Sequence, residues 1–204
     1  MLHQSGPFRP RFSGISTSKN RSKGNTLKVG NGVVVRDAAP EELQDVSDLT
    51  IRAFREYRPL LTPHFVQRYE QDIRDAFGSA TNGSILVAEL GGQLAGTATL
   101  LADASGYGMH GWPHAWPVIR LLAVDPPARG RGIGTRLAAM CVERARRLGV
   151  PTLGLHTAPF MTAARVIYEA LGFDRAPEYD VVQPGSPPAL AYRLELGAGG
   201  SRGE

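Results

Sequence analysis

The sequence predicts a mixed α/β domain, and three observations predict it. An apolar strand at Val118–Val124 passes through a glycine-rich turn into an amphipathic helix, then a second apolar strand at Thr152–Thr157. That is one βαβ unit, whose strands should lie parallel under the right-handed crossover rule. Two short runs, 85–90 and Gln93–Leu101, flank Gly91-Gly92 and read as an antiparallel hairpin. Ahead of the hairpin lie two helical stretches rather than another βαβ unit. The expected architecture is α/β (α+β mixed), with a central mixed, mostly antiparallel, twisted sheet.

The elements follow in chain order. Val33-Val34-Val35 opens the domain as a short strand. Asp37, ahead of Pro40-Glu41-Glu42, is expected to cap a helix with an early proline and first-turn acids. Leu43, Val46, Ile51 and Phe54 carry that helix to about Tyr57, and a second helix is expected over 63–77. After the hairpin, 103–117 reads as a loop leading into the strand at Val118. The helix after the glycine turn is expected from Ile133 to about Leu148, with Ile133, Leu137, Cys141 and Leu148 as its apolar stripe. A helix from Met161 to about Leu171 and closing strands near Tyr179 and over 189–196 complete the domain.

Composition narrows the class. A chain of 204 residues with 42% hydrophobic and 21% charged side chains suits one ordinary domain. The long uncharged stretch 104–119 is rich in Gly, Pro and His, which does not describe a membrane helix. A lone cysteine, Cys141, excludes an internal disulfide and a cysteine-based zinc cluster. His110 and His114 stand four apart, but the Gly and Pro between them argue against a helical metal pair, so no metal is expected. A cytoplasmic location is the default.

Charge divides the chain. Residues 1–32 hold Arg9, Arg11, Lys19, Arg21, Lys23 and Lys28 with no acid, while the rest carries 17 arginines against 19 acids and no lysine. The segment 1–32 is expected to be a disordered basic extension, 33–197 the folded domain and 198–204 a flexible end. Three readings of the extension stay open: an organelle transit peptide, a nucleic-acid or membrane tail, and an extension without function.

The informative segment is Val124-Asp125-Pro126-Pro127-Ala128-Arg129-Gly130-Arg131-Gly132-Ile133-Gly134-Thr135. A strand ends, two prolines enforce an extended turn, and three alternating glycines open a helix. The first amides of a helix have no internal acceptor and sit at the positive end of its dipole. Glycines allow a diphosphate to approach them, and Arg129, Arg131 and Arg136 add positive charge. A P-loop would need a lysine that the domain lacks. A dinucleotide fingerprint would need other glycine spacing and an acid where Leu153 and Leu155 stand.

Arg129-x-x-Gly132-x-Gly134 after an apolar strand resembles the pyrophosphate motif of the GNAT (GCN5-related) N-acetyltransferases. The second half of that family's signature matches at Ala164, Tyr168, Leu171, Gly172 and Phe173. The resemblance spans about 33–196. It implies a β-α-β-α acyl-CoA-binding core and transfer of an acetyl group from acetyl-CoA to a primary amine of a small molecule or an amino terminus. A non-catalytic acyl-CoA-binding module of the same fold is the alternative. The resemblance further implies that Leu122, Ala123 and Val124 hydrogen-bond the pantetheine arm through their backbone. Amides of Arg129, Gly130, Arg131, Gly132, Ile133, Gly134 and Thr135 would hold the pyrophosphate. Tyr168 would protonate the leaving thiolate. A homodimer is also open; a nucleic-acid partner is the least favoured reading.

Two positions depart from the family pattern. Met161 stands where many members have an asparagine, and Trp116-Pro117-Val118-Ile119-Arg120-Leu121 lacks their glutamate. The loop 106–116, with both tryptophans and two histidines, is the candidate acceptor wall, and His114 the candidate base. Arg55, Glu56, Tyr57 and Arg58 form a second candidate wall. His156 reads as structural.

Overall fold

The computed structural model describes residues 27–29, 32–78, 82–105 and 111–197. Eight strands form one sheet: β1 (Leu27–Val29), β2 (Val33–Asp37), β3 (Gly83–Leu90), β4 (Gln93–Leu101), β5 (Val118–Val124), β6 (Thr152–Thr157), β7 (Asp174–Arg175) and β8 (Leu190–Glu195). Their order is β1-β2-β3-β4-β5-β6-β8-β7. The β5–β6 contact is parallel, as the βαβ reading requires, and the other pairings are antiparallel.

Four helices cover the sheet: α1 (Leu43–Phe54), α2 (Pro63–Gly78), α3 (Ile133–Arg147) and α4 (Thr162–Ala170). On one face, Ile133, Leu137 and Cys141 of α3 and Tyr168 of α4 bury against Leu86, Ala98, Leu100, Ile119, Leu153 and Leu155. On the other, Val46 and Ile51 of α1 and Ile73 and Phe77 of α2 pack on Val87, with Leu121 at their edge. Each helix therefore buries one apolar stripe, and the sheet is the shared floor.

Several expectations shift. Leu27–Val29, placed in the basic extension, belong to the sheet as β1, which pairs antiparallel with β2; the rest of the extension, apart from Gly32, and 198–204 lie outside the described residues. Asp37 caps no helix: it ends β2 and binds Arg144. The helix start is held instead by Glu42, whose carboxylate accepts the Ala39 amide at 2.7 Å. The single helix expected over 40–57 is a 3-10 turn at Pro40–Glu42, then α1, then a 3-10 segment at Arg55–Leu60. Pro59 explains the last break, since it lacks an amide and disfavours α geometry before it. Near Tyr179 the chain makes a 3-10 turn, Pro177–Tyr179, and the extra strand is β7. Leu148 lies past the end of α3 and is 47% exposed, so it is not part of the buried stripe.

Candidate functional site

The centre of the molecule is a break in the sheet. β5 and β6 pair at only two positions, Val118↔Gly154 and Ile119↔Leu155. β6 continues against β8 through Thr157, and β5 against β4 through Val124. The strands therefore part beyond Ile119, and the backbone of Leu122, Ala123 and Val124 is presented along one wall of the resulting slot.

The divergence has a local cause. Thr97 pairs with Ala123 and Thr99 with Arg120, so Leu121 and Leu122 together oppose Ala98, which is a β-bulge. Leu121 carries the bulge at φ 53°, a left-handed conformation that costs a side-chain-bearing residue on the order of 1–3 kcal/mol. Leu121 packs toward α1 and α2, while Leu122 packs on the α3 side.

At the mouth of the slot, β5 runs through the turn Pro126–Ala128 into α3. Gly130 and Gly132 hold φ 75° and 72°, and a Cβ at either would meet no atom within 4 Å. These two glycines are required by conformation, and the space above them is open to a ligand. Gly134 serves another purpose: a Cβ there would sit 2.9 Å from Ile167 Cδ1 of α4. Arg136 donates to the Gly132 carbonyl at 3.1 Å, so the amides of Ile133, Gly134 and Thr135 precede the helix's own ladder. They converge where an anion would sit.

Arg129 does not act as expected from its charge. Its amide donates to Pro126. Its guanidinium turns back to Glu56 Oε2 at 2.6 Å, the Ala53 carbonyl at 3.2 Å and the Val124 carbonyl at 3.3 Å. One turn earlier on α1, Arg52 meets Asp125 at 3.3 Å. The two pairs clasp the glycine turn to the end of α1. The positive side chains at the turn itself are Arg131, exposed, and Arg136, half-buried.

Tyr168 is 5% exposed, 5.8 Å ring to ring from Phe173, in the same packed cluster as Leu122, Val124 and Ile167. Tyr168 therefore lies on the same face of the sheet as the side chains of Leu122 and Val124. His114 is exposed, on the loop leading into β5. The rest of the expected aromatic wall is Trp112, Trp116 and Tyr179; Trp112 stacks on Tyr179 at 4.7 Å and lies 5.5 Å from Trp116. Residues 106–110 of that loop fall outside the described residues.

His156 has both ring nitrogens engaged. Nδ1 accepts from Trp112 Nε1 at 3.0 Å, which leaves Nε2–H to donate to the Tyr179 carbonyl at 2.9 Å. Burial lowers its pKa, so it stays a neutral structural link. Burial also pushes the Cys141 thiol up to about 12, leaving it an inert packing group.

The α1–α2 junction is joined to the loop ahead of α4 by residues the sequence pointed to only loosely: Tyr57 lies 5.1 Å from Phe160. Burial, and then its hydrogen bond with Glu56, pushes the Tyr57 phenol up to about 12. The sequence marks Phe160 only as an aromatic after Pro159 at the end of a strand.

The chain matches the acetyltransferase (GNAT) family over residues 44–173. It belongs to that family. Among its relatives, mycothiol acetyltransferase of Sanguibacter keddieii is 38% identical over 97 residues, which cover 46% of this chain and 29% of that protein. This GNAT chain therefore spans under a third of that relative's length. S-(2-succino)cysteine N-acetyltransferase of Bacillus subtilis is 29% identical over 149 residues, covering 72% and 87%. A crystal structure of the PaiA N-acetyltransferase of Thermoplasma acidophilum in complex with coenzyme A superposes with TM-score 0.61 at 12% identity, over 80% of this chain and 98% of that one. The last likeness is one of fold.

Proposed function

We propose that this protein transfers an acetyl group from acetyl-CoA to the nitrogen of a small primary amine by direct attack. The observation that carries the reading is the slot: a parallel strand pair that parts after two rungs, directly below a left-handed glycine turn with unspent amides. A pantetheine arm needs backbone hydrogen-bonding groups along an open strand, and a diphosphate needs clustered amides. Membership of the GNAT family supports the same donor. The relative aligned over most of its own length is named for S-(2-succino)cysteine, a modified amino acid, which supports a small-molecule acceptor.

In this reading the donor's diphosphate lies against the amides of Gly130 to Thr135, and its arm runs down Val124, Ala123 and Leu122. The neutral amine attacks the thioester carbonyl from the α1–α2 face. As the tetrahedral intermediate collapses, the C–S bond breaks and the Tyr168 hydroxyl donates its proton to the leaving thiolate. His114, exposed on the acceptor-side loop, stands as the candidate base for the amine proton.

The test joins calorimetry with acetyl-CoA to thiol release in the presence of an amine panel. Wild-type protein should bind in the micromolar range and release thiol. Tyr168→Phe should lower kcat about 100-fold while donor affinity stays within about twofold. Binding with no release from any amine would instead mark a non-catalytic acyl-CoA-binding module. Absence of binding would overturn the assignment of the slot.

A further inference from the structure

The donor's path fixes where the acceptor must meet it. An arm entering at the glycine turn and following Val124, Ala123 and Leu122 brings the thioester to the inner end of the slot. At about 3.3 Å per residue, Arg120 lies roughly 13 Å in from Val124. There Arg120 and Thr99 face each other as a cross-strand pair, at the edge of the bulge. Directly opposed residues in an antiparallel pair project from the same face of the sheet. That face is the one covered by α1 and α2, because the strand neighbours Leu100 and Ile119 point into the cluster under α3 and α4 and alternate residues of a strand point to opposite faces.

Two features of this pair point to a ligand. Thr99 is 4% exposed, and among the described residues its hydroxyl has no hydrogen-bond partner. Such groups are rare in folded proteins, because an unsatisfied buried hydroxyl costs about 1–3 kcal/mol. It contrasts with Thr97, two residues earlier, whose hydroxyl donates to the Leu86 carbonyl at 2.8 Å. The second feature is the sign of the charge. A guanidinium on this face favours an amine that also carries a carboxylate, which it can bind through paired N–H donors, over a simple cationic amine.

We infer that Thr99 and Arg120 form the acceptor anchor, binding the carboxylate of an amino-acid-type amine and holding its nitrogen toward the slot. The inference rests on the acetyl-transfer reading and deepens it by naming the substrate class. Arg120 and Thr99 are positioning residues in this scheme; neither exchanges a proton or forms a bond.

The experiment uses the full chain and a panel of L-α-amino acids, each paired with its own α-carboxamide. Wild-type kcat/KM should favour the carboxylate member of an accepted pair by on the order of 30-fold. Arg120→Gln should collapse that preference by raising the KM of the carboxylate acceptor about 30-fold, while the affinity for acetyl-CoA stays that of wild type. Arg120→Lys should recover part of it. Thr99→Val, nearly isosteric, guards against misfolding as an explanation and should raise the acceptor KM several-fold with the donor KM unchanged. A wild-type preference for carboxamides, or a carboxylate preference that survives Arg120→Gln, would overturn the anchor. Donor calorimetry separates the two levels: lost acetyl-CoA binding in wild type refutes the transferase reading, whereas normal binding with no carboxylate preference refutes the anchor alone.

Discussion

On the proposed donor side of the slot, function is written in backbone: Gly130 and Gly132 in left-handed turns, Leu121 bent into the same region, and amides at the head of α3. On the proposed acceptor side it is written in side chains carried by different strands, Thr99 of β4 and Arg120 of β5, which folding sets opposite each other. The difference teaches why one half of a site can be read from sequence and the other cannot. A backbone that must adopt φ near 70° demands glycine at fixed spacing, so its requirement is local and visible. A pair assembled from two different strands has no spacing to read.

Three changes would break or sharpen that contrast. Gly132→Val attacks the donor side at its conformational root, since φ 72° suits no β-branched residue. Donor affinity measured by calorimetry should fall about 30-fold, which corresponds to roughly 2 kcal/mol of strain moved into the bound state. Affinity within a factor of two of wild type would show that the turn tolerates another geometry. A smaller effect is expected where the two sides are joined. Glu56→Gln loosens the hold on Arg129, and the donor Kd should rise about fourfold while Tm hardly moves, because exposed ion pairs contribute about 0–1 kcal/mol. Arg129→Gln should weaken donor binding at least as much, and the double variant Glu56→Gln/Arg129→Gln no more than Arg129→Gln alone; fully additive losses would remove the clasp from the account.

The smallest effect concerns the acceptor wall and pH. His156 is neutral in the fold, with its pKa lowered by burial. Its contribution is complete above its unfolded pKa of about 6.5 and is lost as pH falls toward the lower folded value, since only the unfolded chain then takes up the proton. His156→Gln keeps one acceptor and one donor. It should flatten the decline of Tm between about pH 6.5 and 5 without altering stability at pH 8. An unchanged acid slope would assign that decline to carboxylates such as Asp180, whose pKa Arg175 holds down.

Much of the fold was legible in the sequence. The hairpin, the βαβ unit and both motif halves stand where spacing put them, because each rests on local periodicity or on turn chemistry. What escaped did so for physical reasons. β1 is three residues long, too short for a period. Glu42 rather than Asp37 organises the first turn, since a carboxylate three residues inside reaches back to the Ala39 amide as well as a preceding one reaches forward. Arg129 looked like an anion ligand by charge, yet folding supplies Glu56 from 73 residues away. Leu121 carries no sign of its left-handed turn, because the bulge is imposed by the register between β4 and β5 rather than by its own side chain.

The two-rung junction of β5 with β6 has a mechanical consequence. β1 to β5 form one ribbon and β6, β8 and β7 another, and between them the sheet is stitched by two residue pairs. A seam that short is where such a sheet would yield first. A donor lying along Leu122 to Val124 would supply the missing rungs from outside the chain. Acetyl-CoA would then act as a removable part of the protein's own architecture, and the enzyme would be mechanically whole only while loaded.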